Sequence, residues 1–565
     1  MSDQADDSER SPALEPEADS FRALEPEADS FGRSHRRFAI TLAVVALAPL
    51  VLVAIRLLLA KDYRPFGDGA LLELRVREVG HHAVLLGPYS RFGWFHPGPA
   101  LFYVLAIPYR ILGGRSDALN IAAVATNVAA ITGIAWVSWR RGGLAFLGVA
   151  LAACALFLRI LGTGYWSSAW NPSVTILPMT FLVFVAWELS RGELWALPVA
   201  AVTATFIVQS HVGYLTTSGL VIVGALGLAA PTVVRARRAG GAEWDSLRRR
   251  ALRATLVTAG LMAVLWGPPL YQQLTHHPGN LGLVVKFARN AHPDHTVHEG
   301  FDLALREIGT VPAWLTGGHL RLDGSIAGAG GWPALLGIGA VTAGAVIARR
   351  RRSSDALRFG ALLGLFVVGS IIATSRIVGP MYDYLVRWQA FGGIAVWMFL
   401  AAAVLLPAPG DTPADDSRRS DAHAPPRAVV VTSAVVIVVL AVLNTASATH
   451  ARPSGSDSSA TVEDLTRQVA SALPRGHTVL IRSVAIETRP HAFGVGLQLE
   501  RRGTPVKYAT DMRSEVGDDR TTDPGPGATT IVFGTAGQRS QLAARARARQ
   551  IASTADAVVF LDGSS

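Results

Sequence analysis

An all-α polytopic membrane protein with a small C-terminal α/β domain is the fold class this sequence predicts, on three observations. Of its 565 residues 50% are hydrophobic and only 17% charged, with a mean hydropathy of +0.33, too apolar for a soluble chain of this length. The apolar residues gather in runs that approach the roughly 20 needed to cross a hydrocarbon core of about 30 Å. Beyond the last run, residues 447–565 alternate short β-rich runs with helical stretches, the pattern of a small α/β domain.

The formal charge of +10 would suggest a nucleic-acid partner in a soluble protein, but its placement argues otherwise. Arg235, Arg237, Arg238, Arg248, Arg249, Arg250 and Arg253 share one connector between apolar runs, and Arg349 to Arg352 form another. That is the arrangement of cytoplasmic loops, and no nucleic acid is expected. The single cysteine, Cys154, lies inside an apolar run, reads as a small core residue and has no partner for an intrachain disulfide.

Along the chain, residues 1–37 are polar and acidic and repeat the unit Ala-Leu-Glu-Pro-Glu-Ala-Asp-Ser-Phe at 13–21 and 23–31, which predicts a disordered cytoplasmic tail. Arg33, Arg36 and Arg37 precede the first span, 38–60, and set it running outward. Residues 61–117 form the first external loop. Within it, 100–113 is short for a crossing and carries Pro108 and Arg110; an interfacial helix there keeps every Arg-rich connector inside. Further spans are expected at 118–137, 144–161, 172–188, 194–210, 212–230, 254–270, 332–347, 357–374, 387–406 and 428–446. With the first, that gives eleven crossings, amino end inside and carboxyl end outside.

Residues 408–427 read as a Pro-rich linker, which leaves 38–446 as the membrane domain. In the distal domain Thr461-Val-Glu-Asp464 resembles a capping box opening a helix to Leu473. Strands are expected at 478–483, 530–534 and 558–562, and a helix at 538–552. No nucleotide-binding motif is evident, so binding or packing is the expected role of this domain.

No Asp or Glu falls in the middle of a proposed span, which ranks ion-coupled transport below chemistry at the outer surface. The first loop is the richest candidate. Asp68 stands between Gly67 and Gly69 before a helical pattern; spacing alone leaves it open between a helix N-cap and a functional carboxylate. His96-Pro97-Gly98-Pro99, leading into Phe102-Tyr103, is likewise open between a turn and a site.

This arrangement resembles the GT-C superfamily of polytopic glycosyltransferases, in particular its protein mannosyltransferase and aminoarabinose transferase branch. There a carboxylate in the first external loop precedes a His- or Lys-Pro-Pro segment and an aromatic interfacial helix. The matching positions are Asp68, His96-Pro97-Gly98-Pro99 and Phe102-Tyr103, with Trp170-Asn171-Pro172 and the corner 209–214 as similar external turns. Gly69 stands where many members carry a second acidic residue, and Gly98 separates the two prolines.

The resemblance implies transfer of a sugar from a polyprenyl-phosphate donor to a glycan, lipid or protein acceptor at the outer face of the cell membrane, in cell-envelope or cell-wall assembly. Asp68 would be the catalytic base, with His96, His211, Arg376, Arg91, Tyr103 and Glu73 as substrate-binding candidates. Arg56, Arg75, Arg159 and Arg387 are further cations at that face. No cofactor is assigned. The loop 275–299, with His276, His277, His292, Asp294, His295, His298 and Glu299, has the donors for a divalent metal, but Pro278, Gly279 and Pro293 favour a polar loop over the site. Rival readings are a flippase of lipid-linked saccharides and a membrane anchor for the distal domain.

Overall fold

The computed structural model describes residues 18–60, 63–321, 323–407, 426–474, 476–523, 529–545 and 548–562. All eleven apolar segments fall in helices: α1 (Ala18–Leu59), α4 (Ala118–Leu161), α5 (Ile176–Ser190), α6 (Ala196–Ser210), α7 (Leu215–Ala239), α8 (Gly241–Thr275), α11 (Trp332–Arg350), α12 (Ser354–Thr374), α13 (Phe391–Leu405) and α14 (Arg427–Ala448). The α4 element holds two of the segments, because Gly142 and Gly143 leave helical geometry, Gly143 at φ 56°, and break it into two legs. Among the described residues nine helices are long and apolar enough to cross a membrane, α4 counted once; α6, with 15 residues, is shorter. Leu50, Phe157, Phe184, Trp187, Phe359 and Phe391 belong to one buried core running through these helices. A buried pair, Arg141 with Glu188, ties the α4 break to the end of α5.

The first loop contains α2 (Asp68–Glu78) and α3 (Ala100–Ile111). Two further helices, α9 (Asn280–Asn290) and α10 (Val297–Ile308), lie between α8 and α11. The distal domain comprises α15 (Ser459–Ala472), β1 (Val479–Ser483), α16 (Arg489–Arg501), β2 (Val506–Tyr508), β3 (Thr529–Gly534), α17 (Arg539–Ala543), β4 (Arg549–Ser553) and β5 (Val558–Asp562). Its sheet runs β2-β1-β3-β5-β4. The β2-β1-β3 pairs are parallel and β3-β5 and β5-β4 antiparallel.

Helix α2 has two packed faces. Ala70, Leu71 and Leu74 enter the core of the distal domain beside Leu465, Phe493 and Ile481. Leu72 and Val76 pack on the other side against Leu101, Phe102 and Leu105 of α3 and Leu119 of α4. The distal domain is thus built onto the first loop, and Arg64 pairs with Glu463 at 2.9 Å across the same junction.

Four expectations are corrected. Helix α1 starts at Ala18, inside the segment expected to be a disordered tail, since Ala, Leu and Glu favour helix and extending an existing one needs no new nucleus. Residues 1–17, and all of the linker but its last two residues, lie outside the described residues. Helix α15 starts at Ser459, two positions before Thr461, so Thr461 lies in its first turn and not at the N-cap. The helix expected at 538–552 is the short α17 followed by β4, because pairing with β5 outweighs the helical preference of its Ala- and Arg-rich sequence. The three-residue β2 was not expected, being too short to show an alternation.

Candidate functional site

Gly67 holds φ 55°, a left-handed value suited to glycine, and turns the chain into α2 so that Asp68 is its first residue. Asp68 does not cap the helix; α2 has no side-chain cap. Its carboxylate instead faces a cavity, where Tyr89 Oη donates to Oδ1 at 2.8 Å and the Trp170 side chain gives a further hydrogen bond. Burial raises the Asp68 pKa above the ordinary carboxylate value, while the bonds from Tyr89 and Trp170 oppose the rise by favouring the anion. The helix N-terminus favours the anion as well.

The cavity measures 580 Å³ and has unlike walls. One is apolar: Val284, Val285, Phe287 and Ala288 of α9, with Leu215 and Ile377. Helix α9 is held there by Asn280, whose side chain accepts from Phe95 N and donates to Phe95 O, both at 2.8 Å, and by Phe287 packed on Phe92 with ring centres 4.6 Å apart. The other wall is polar and carries Asp68, Arg75, Tyr89, Arg91, Arg376 and Tyr384. Glu515, from the single turn Arg513–Val516, reaches the same cavity from the distal domain.

Arg91 donates to Val378 O at 2.8 Å and lies over the Tyr382 ring at 5.4 Å, which holds its charge at the rim. Arg75 is paired with Glu78 at 2.9 Å. The exposed Arg376 guanidinium has no carboxylate partner among the described residues, so it is the least committed cation of the three.

His96 and His211 also line the cavity, their rings 4.9 Å apart. Val212 N donates to His96 Nδ1 at 3.1 Å, which assigns the ring proton to Nε2. Burial lowers both pKa values, His96 well below the usual range and His211 to about 4. Both rings are therefore neutral near pH 7, which corrects the expectation that they act as cations; what they offer is a hydrogen bond. Gly98 allows this segment its path: a Cβ there would meet the Gln209 side chain at 2.4 Å.

Two of the expected substrate-binding residues do not reach the cavity. Glu73 is fully buried, accepts from Tyr109 Oη at 2.9 Å and pairs with Arg501 of the distal domain. Tyr103 Oη donates to Val84 O at 2.6 Å. Of the four further cations only Arg75 reaches the cavity: Arg56 lines a separate cavity, Arg159 bonds Ser447 Oγ at 2.8 Å, and Arg387 is buried against the carbonyls of Ile160 and Gly324. In the His-rich loop His295 faces Glu299 and His298 faces Asp302, each at 3.5 Å. Among the described residues no three His, Cys, Asp or Glu side chains gather to hold a metal ion.

Tyr89 and Glu515 line the cavity without having been singled out in the sequence, and Tyr384 lines it beside Arg376. Of the first two only Tyr89 had a signal, its place in the same loop as Asp68.

No family model matches the sequence, and no curated protein does. The fold does have counterparts among solved structures. ArnT from Cupriavidus metallidurans bound to undecaprenyl phosphate is similar with a TM-score of 0.52 and 13% identity, over 94% of this chain and 98% of that one. The apo state of the same protein gives 0.51 and 12%, over 95% and 98%. At these identities the likeness is one of fold, and the fold is ArnT-like.

Proposed function

We propose that this chain is an inverting glycosyltransferase that moves a sugar from a polyprenyl-phosphate donor to an acceptor hydroxyl at the outer face of the cell membrane. The observation that carries the reading is the half-buried Asp68 carboxylate in a cavity lined by apolar side chains and by Arg75, Arg91 and Arg376. A polyprenyl chain suits the apolar wall, and its phosphate suits Arg376 and Arg91, since guanidinium forks bind phosphate oxygens well. The similar fold of a protein that binds undecaprenyl phosphate supports the same donor class.

In the proposed reaction the acceptor oxygen attacks the anomeric carbon from the face opposite the phosphate. Its proton passes to Asp68 as the new C–O bond forms. The old bond between the anomeric carbon and the phosphate oxygen breaks, and its electron pair leaves with the phosphate, already stable as an anion. The configuration inverts, as it does when a carboxylate base activates the nucleophile in inverting glycosidases. A carboxylate with a raised pKa is a stronger base, provided Tyr89 and Trp170 keep it ionised.

The test is transfer from labelled polyprenyl-phosphate sugars by the purified full chain. Asp68→Asn is expected to abolish transfer while leaving donor binding largely intact. Turnover like that of the wild type would remove Asp68 from the mechanism.

A further inference from the structure

A second cavity, of 530 Å³, lies at the opposite end of α2 from Asp68, where the last turns of α2 and α3 meet the distal domain. Its acidic groups are already matched. Glu78 is paired with Arg75 and Arg520, Glu500 is paired with Arg520, and His82 approaches Glu78 at 3.5 Å. Two of its basic groups are not. Arg77 and Arg110 line the cavity with no carboxylate partner among the described residues. Arg110 lies over Gly80 and donates to Val79 O, and Arg77 meets the Tyr109 hydroxyl, both neutral acceptors. Two positive charges therefore stand uncompensated beside one hollow.

The neighbouring surface adds an independent indication. Helix α3 exposes Val104, Ile107 and Ile111, at spacings that put them on one face, Ile107 being 63% and Ile111 77% exposed. Arg110 stands in the last turn of the same helix. An exposed apolar stripe ending in arginine is the pattern of a helix lying in the plane of a bilayer, with the cation at headgroup level.

We infer that this second cavity binds the phosphate of an anionic lipid headgroup, with the apolar stripe of α3 seated among the acyl chains beside it. The ligand chemistry is a phosphodiester whose two free oxygens are gripped by the Arg77 and Arg110 guanidiniums, in a headgroup with no cation of its own to oppose them. The inference rests on α3 lying at the membrane surface and does not depend on sugar transfer. A soluble phosphate would present the same oxygens, so the experiment separates the two sources.

Native mass spectrometry of the full chain, titrated with phosphatidylglycerol and separately with phosphatidylcholine, reads the preference without any turnover. The wild type is expected to retain phosphatidylglycerol about thirtyfold better, the scale set by two basic side chains at an anionic surface. Arg77→Gln with Arg110→Gln is expected to bring retention down to the phosphatidylcholine level, and Arg77→Lys with Arg110→Lys to keep most of it. Equal retention of the two lipids by the wild type overturns the proposal without recourse to a variant. Competition by millimolar inorganic phosphate overturns the lipid source. Loss of the preference in Arg91→Gln with Arg376→Gln would place the lipid in the Asp68 cavity and overturn the second site.

Discussion

Glu73 and Arg501, 428 positions apart in sequence, form an ion pair that joins the helix bearing Asp68 to the distal domain. Glu73 is wholly enclosed, so removing Arg501 would leave a buried carboxylate whose one remaining side-chain hydrogen bond among the described residues is that from Tyr109. Arg501→Ala is therefore expected to cost about 3 kcal/mol, seen as a lowered unfolding midpoint. Replacing both partners, Glu73→Leu with Arg501→Met, is expected to recover part of the loss. A single variant as stable as the wild type would show that the pair contributes nothing.

Ending the chain after Thr449 would uncover Ala70, Leu71 and Leu74, which lie in the core of the distal domain. The membrane helices keep their own core, so the truncated protein is expected to insert and fold there while transfer falls below detection. Full transfer by the truncated chain would make the distal domain accessory.

Tyr89→Phe removes a hydrogen bond that favours the ionised form of Asp68. The pKa of Asp68, already raised by burial, should rise further. Because the base must be ionised, activity is lost as pH falls through that value. The acidic limb of kcat/KM is expected to move to higher pH in the variant, with transfer recovering at alkaline pH. An unmoved limb would separate Tyr89 from the ionisation of Asp68.

Arg376 is the uncommitted cation on the cavity wall. Losing one charge-assisted contact to a phosphate weakens binding by about 1.5–3 kcal/mol, or roughly 10- to 100-fold. Arg376→Gln is expected to raise the Kd for undecaprenyl phosphate on that scale, measured by quenching of intrinsic fluorescence. An unchanged Kd would place the phosphate elsewhere.

Glu307 in α10 is enclosed, accepts from Thr310 Oγ1 at 2.9 Å, and has its pKa pushed up to about 7, burial outweighing the opposing influence of Arg387 and Thr310. Between the ordinary value of 4.5 and about 7 the folded protein holds a proton that the unfolded chain has released. The sign follows: the stabilisation is full below that window and is lost as pH rises through it. Between pH 5 and pH 8 the loss is on the order of 3 kcal/mol. Glu307→Gln is expected to flatten this decline in thermal unfolding scans; an identical decline in both proteins would refute it.

How far the sequence reaches is clear at α2. Asp68 was legible because two glycines flank it ahead of a helical pattern. Which neighbours share its face follows from the 100° step per residue: Leu72 and Arg75 are close to it, while Glu73 lies about 140° round the helix. Glu73 was read from proximity in sequence, and the helix turns it into the domain junction. Tyr89 and Glu515 come to the cavity through contacts between distant segments, which no local spacing encodes. The apolar runs were legible because each must satisfy its backbone within itself, whereas β4 depends on a partner strand and looked helical by composition.

Because α2 supplies Ala70, Leu71 and Leu74 to one core and Leu72 and Val76 to another, the soluble and membrane parts are not interchangeable modules. A chimera that imported a foreign distal domain would have to bring its own version of residues 63–78, and with them the residue proposed to do the chemistry. Any shift of that domain would also move the helix that places Asp68 in its cavity.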